Sequence, residues 1–178
     1  MDLLIEKLCK QRLCLPSNSD INLIRKGFIK NNINYCGDSN HIACIFDSKS
    51  KSISKIFSRG INKYNSNSVN TVHAEVNAIM NLPSRAKKKC YQKIDICVIK
   101  VSSCCKIGIS KPCIKCIIDM SILPQKKGYI VKNIYYSDHD GSITSVTLKN
   151  LINEGNCYTS RYYRKHNFNP KISVLKLN

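Results

Sequence analysis

A chain of 178 residues fits one domain with a core large enough to need no disulfide staples. No run approaches the roughly 18 apolar residues that would span a bilayer, which excludes a membrane helix. A net charge of +18 favours anionic partners, yet it comes from Lys spread along the whole chain, so a merely solvated basic surface fits it equally.

The opening "MDLLIEKLCKQRLCLPS" lacks a long apolar core and a small-residue cleavage site, so no secretory signal is read there. With 11 cysteines, an odd number, the expectation is a reducing cytoplasm and thiols that are packed or metal-bound. Residues 1–19 read as an N-terminal extension with a short helix. "SNSDINLIRKGFIKNN" repeats Ile21, Ile24, Phe28 and Ile29 at helical spacing, which predicts a core-facing helix over 20–32. "HIACIFDS" and "SISKIFSRG" predict an antiparallel hairpin at 41–59, followed by the polar loop "INKYNSNSVN".

"TVHAEVNAIMN" then reads as a helix with one histidine and one carboxylate at its head, and the basic loop "PSRAKKKCYQK" follows. "IDICVIKVSS" is apolar enough for a strand buried on both faces. "PCIKCIIDMSILP" has a proline at each end, which predicts a short helix at 113–122. "YIVKNIYYS" is the next strand, "DHDG" a turn, and "SITSVTLKNLINEG" a strand running into a helix. The order predicts an α/β fold, a three-layer α/β/α sandwich around a mixed sheet of about five strands. We place its domain at 20–155 and a basic aromatic appendage at 156–178, where "RYYRKHNF" either stacks on nucleic acid or docks on the domain.

His73, Cys113 and Cys116 supply one imidazole and two thiolates, a three-ligand set that leaves zinc a fourth, open position, the mark of a catalytic site. Glu75 lies two residues beyond His73, which lets it reach water beside the ion without becoming a ligand and carry protons there. Without that role, Glu75 is only an acid in a first helical turn. A closed knuckle of Cys104, Cys105, Cys113 and Cys116 would strain two adjacent ligands. Cys9, Cys14, Cys36, Cys44, Cys90, Cys97 and Cys157 read as small buried hydrophobes.

"HAE" and "PCIKC" resemble the H-x-E and P-C-x-x-C signature of zinc-dependent nucleobase deaminases, and the order of elements over about 20–150 is similar to the cytidine deaminase fold. The resemblance implies hydrolytic loss of an exocyclic amine as ammonia, with Zn2+ as cofactor and Glu75 as proton carrier. Free-nucleoside enzymes usually carry Cys at the place of His73, and the polynucleotide-editing group a Trp before its Pro-Cys pair; this chain has neither. "HAEVNAIMN" is most similar to deoxycytidylate deaminases, which implies dCMP to dUMP and a free nucleotide as substrate. "RGINKY" resembles the family's Gly-x-Asn loop, so Asn62 and the backbone of Ala74 are expected to contact substrate. By the same resemblance the segment "IYYSDHDG", after the fourth strand, corresponds to a loop over the active-site mouth, with Tyr136 and Asp138 as expected contacts. The spacing from His73 to Cys113 is long for that branch, and the insert "SSCCKIGIS" resembles deaminase-like proteins of large DNA viruses and some eukaryotes. The family often assembles, so a homo-oligomer is expected. A nucleic-acid cytosine or adenine deaminase, or a non-enzymatic zinc-stabilised nucleotide-binding protein, are the alternatives.

Overall fold

The computed structural model describes residues 39–49, 56–64, 71–85, 90–102, 106–154 and 158–165. The helix expected over 20–32, the N-terminal extension, the Cys104–Cys105 pair and most of the C-terminal tail lie outside them. Alternating apolar residues form the hairpin where the sequence puts it: β1 (Ser39–Asp47) pairs antiparallel with β2 (Ile56–Ile61). The polar loop that follows holds a two-residue ladder, β3 (Lys63–Tyr64) with β4 (Thr71–Val72). Then come α1 (Ala74–Met80), β5 (Gln92–Ser102), β6 (Ile107–Gly108), α2 (Ile114–Ile122), a 3-10 turn at Gln125–Lys127, β7 (Tyr129–Ser137), β8 (Ile143–Thr147), α3 (Leu148–Glu154) and α4 (Arg161–Lys165).

The main sheet runs β2-β1-β5-β7-β8, with β6 added on β5. Only β5 and β7 are parallel, so the sheet is mixed, and α2 makes the crossover between them. The period-2 alternation of β1 and β5 divides their side chains between two cores. Ala43, Ile45, Ile94, Ile96 and Val98 face α1, α2 and α3, while Ile42, Cys44, Phe46, Cys97, Ile99 and Val101 form a second buried cluster on the opposite face. The helices α1, α2 and α3 thus make one outer layer. The residues expected to make the other are outside the described set.

Asp95 is the one acid inside β5, and a bulge accommodates it: Lys132 and Asn133 of β7 stand where Asp95 alone faces them. Its carboxylate accepts from the backbone and side-chain amides of Asn133, each at 3.1 Å. Burying a carboxylate this way leaves it hydrogen-bonded rather than stranded.

Gly60 sets the distance between sheet and helix. A Cβ there would stand 2.2 Å from the Ala74 carbonyl oxygen and 2.2 Å from the Ala78 nitrogen, so only glycine lets β2 run against α1. Ser58 Oγ donates to the Ala78 carbonyl at 2.8 Å, and Asn77 Oδ1 accepts from the Ile61 nitrogen at 3.3 Å. These contacts fix the helix whose first turn carries the site.

The insert that separates β5 from α2 folds back as β6, with Gly108 opposite Lys100. Ser110, which follows it, is buried and donates to the Val98 carbonyl at 2.8 Å. The insert is therefore an edge of the sheet that leads directly into the α2 N-terminus.

Candidate metal centre and active site

His73 and Cys113 occupy equivalent places, each the extended residue from which a helix starts. Pro112 precedes Cys113, and a proline there suits a chain about to turn helical. Cys116 lies in the first turn of α2, on the stripe Ile114, Cys116, Ile117, Met120 and Ser121 that the helix buries. Packing that stripe on the sheet is what aims both sulfurs at the head of α1.

The Nδ1 atom of His73 is 3.1 Å from Cys116 Sγ and 3.6 Å from Cys113 Sγ. Ideal zinc bonds imply a tetrahedral N···S edge of about 3.6 Å, so the donor set and its spacing fit zinc. All three ligand atoms lie within 4.8 Å of one another, and they could coordinate zinc. Among the described residues no other such cluster of three appears.

The electrostatics suit a cation. The hydrogen bond from Cys116, with a further one from His73, holds the Cys113 thiol down to about 4 against the effect of burial. The same Cys113 contact, with burial, pushes the Cys116 thiol well up, so the pair carries its first negative charge on Cys113. Hydrogen bonding to Cys113 raises the His73 imidazole. Glu75 is 4% exposed, and its burial pushes the carboxyl above its ordinary value, although its own backbone and the His73 charge pull it down.

A cavity of about 510 Å³ opens beside these groups, a volume ordinary for a small-molecule site. His73, Glu75 and Cys113 line it, together with Asn62, His41 and Lys100. Asn62 Oδ1 accepts from the Ala74 nitrogen at 2.9 Å, which locks the loop onto the first residue of α1. The other end of that amide, Nδ2, donates to His41 Nδ1 at 3.2 Å. His41 must then be neutral at that nitrogen, and burial, with Lys100 and His73 nearby, lowers its pKa to about 4.

The structure thus brings His73, Glu75, Cys113, Cys116, Asn62 and Ala74 together. Tyr136 lies in the core, 9% exposed, and Asp138 closes the β7–β8 turn, its nitrogen donating to the Ser142 carbonyl at 2.9 Å. Neither lines this cavity. The lining residues passed over in the sequence are His41, Lys100, Ile109, Ser110, Lys111, Tyr158 and Ser160. A lysine inside the apolar run "CVIKVSS" was the available signal; for the others only pairing and packing reveal the position. Among the cysteines, Cys44 and Cys97 are buried as expected, and Cys90 is exposed.

The model of the cytidine and deoxycytidylate deaminase zinc-binding region matches residues 30–126, more than half of the 178. No curated protein matches the chain. No helix among the described residues is long and apolar enough to cross a membrane.

Proposed function

The chain belongs to the cytidine and deoxycytidylate deaminase family, and from that premise we propose that it converts a cytosine mononucleotide, with dCMP the preferred example, to the uracil mononucleotide and ammonia. The observation that carries the reading is a buried carboxyl, Glu75, in the same cavity as a zinc-fitting His–Cys–Cys set. A structural zinc site needs no such carboxylate.

When bound, zinc supplies a Lewis acid that makes water a competent nucleophile at neutral pH. Glu75 takes a proton from the attacking water and returns it to the ring nitrogen, then a second to the departing amine. The ring carbon gains a C–O bond and loses its C–N bond, and the amine leaves as ammonia. Burial serves this role, because it raises the carboxyl above its ordinary value and so makes it a better proton acceptor than an exposed glutamate. Asn62, held at both ends of its amide, orients the sugar or base, and the Ala74 backbone meets the base edge.

The experiment is ammonia release from cytidine, cytosine and adenine mononucleotides and short oligonucleotides, with zinc measured in parallel. We expect turnover of cytosine mononucleotides by the native chain, and in Glu75→Ala retained zinc with turnover reduced at least about 10²-fold, the lower bound for a lost proton carrier. Unchanged activity in that variant would sink the mechanism, and editing of oligonucleotides alone would move the substrate to nucleic acid.

A further inference from the structure

The family match ends at residue 126, yet the wall of the cavity continues beyond it. Tyr158 and Ser160 line the cavity from the segment that follows α3. This segment is anchored, because the Tyr158 carbonyl accepts the Ile114 nitrogen at 2.8 Å, at the first residue of α2. Ser160 is 8% exposed, and its hydroxyl is buried without a hydrogen-bond partner. Its backbone carbonyl accepts the Arg164 nitrogen at 3.0 Å, but the hydroxyl takes no part in that turn. A buried hydroxyl at a cavity wall with nothing to bond is costly unless a ligand completes it.

The same cavity holds a cation. Lys100 stands directly opposite His41 in the β1–β5 register, so both point to the face that carries the metal ligands. On its other side is Gly108 of the insert, where a Cβ would come within 3.3 Å of Lys100 Cδ; glycine leaves room for the lysine stem. No acidic side chain pairs with Lys100 among the described residues, whereas Lys111, also in the wall, has Glu154 at 3.6 Å. A charge left unpaired in the same cavity as an unpartnered hydroxyl is the chemistry of an oxyanion subsite.

We propose that Lys100 and Ser160 form the subsite for the 5′-phosphate of a free mononucleotide, with the insert and the post-α3 segment as its two supports. The occupant is a mononucleotide rather than a strand. Grooves for single strands are stripes of cations with several stacking aromatics, and this cavity offers, among the described residues, one unpaired lysine and one aromatic, Tyr158, whose ring Arg164 already stands over at 5.5 Å. The assignment rests on the proposed cytosine-nucleotide substrate, and binding tests it apart from turnover.

The zinc-loaded full chain carrying Glu75→Gln is titrated by calorimetry with cytidine 5′-monophosphate and with cytidine. We expect the monophosphate to bind at least about tenfold more tightly, and Lys100→Met or Ser160→Ala each to remove roughly tenfold or more of its affinity. Cytidine binding should stay within about twofold in both, and Lys100→Arg should keep most of the phosphate gain. Equal weakening of the two ligands would make these residues structural and overturn the assignment. So would a monophosphate that binds no better than cytidine, or a Lys100→Met loss seen only with oligodeoxycytidylate. If Lys100→Met does not fold, Ser160→Ala carries the test alone. Phosphate-dependent binding without deamination in the native chain would leave the subsite standing and overturn the deaminase reading; deamination without phosphate preference would do the reverse.

Discussion

His41 shows how one residue ties the sheet to the site. It stands third in β1, on the face of Ala43 and Ile45, accepts the Asn62 amide, and through Asn62 is linked to the head of α1. Its pKa of about 4 is below the ordinary 6.5, so the unfolded chain binds the proton more tightly than the folded one. The His41 contribution to stability is therefore constant above pH 6.5 and lost as the pH falls from 6.5 towards 4, by up to roughly 3 kcal/mol for a shift of this size. Urea midpoints of the native chain and His41→Gln measured between pH 7.5 and 4.5 should show that the variant loses much less stability on acidification. Parallel curves would mean that other groups control acid stability. The histidine was unremarkable in the sequence, because "HIACIF" reads as a strand whatever stands at its head; only the Asn62 contact gives it a task. His73 and Glu75 were legible because an imidazole and a carboxylate in an apolar helix have few reasons to be there.

At the scale of elements, α1 and α2 each deliver ligands from their first turn, so the site depends on where β2 and the sheet hold those turns. Gly60→Ala places a methyl group 2.2 Å from helix backbone and must displace α1. We expect a cost of about 1–3 kcal/mol in unfolding free energy and zinc affinity weaker by roughly tenfold or more, since His73 moves with the helix. Chemical denaturation and a competitive zinc chelator measure the two. A stable variant with native zinc affinity would show that the helix floats freely over the strand. The helices at 74–80 and 114–122, the hairpin and the strand at 129–137 lie where periodicity and proline put them. The insert defied such reading. "KIGIS" is too short to declare a strand, and its pairing with the end of β5 is braced by Ser137, which bonds both sides, accepting from the Lys100 nitrogen and donating to the Gly108 carbonyl.

For the whole molecule, zinc would tie together the N-termini of two helices that already pack on one another, so metal binding is coupled to the stability of the domain. Removing it with a chelator should lower the melting temperature by several degrees, as expected for a loss of about 1–2 kcal/mol or more, and added zinc should restore it. Glu75→Gln should show the same shift, because that residue binds substrate chemistry and not the ion, whereas Cys116→Ser should show little. A melting temperature indifferent to chelation in all three would remove zinc from the fold's energetics. The amino-acid sequence by itself determined the ligand set, the mixed α/β architecture and the family, because local periodicity, proline stops and a spaced His-x-Glu and Cys-x-x-Cys pattern are properties of neighbouring residues. Only the tertiary structure decided what lines the cavity. His41, Lys100, Gly108 and Ser160 come from four segments, and their meeting depends on strand register, a missing Cβ and a chain that returns past α2, none of which neighbouring residues specify.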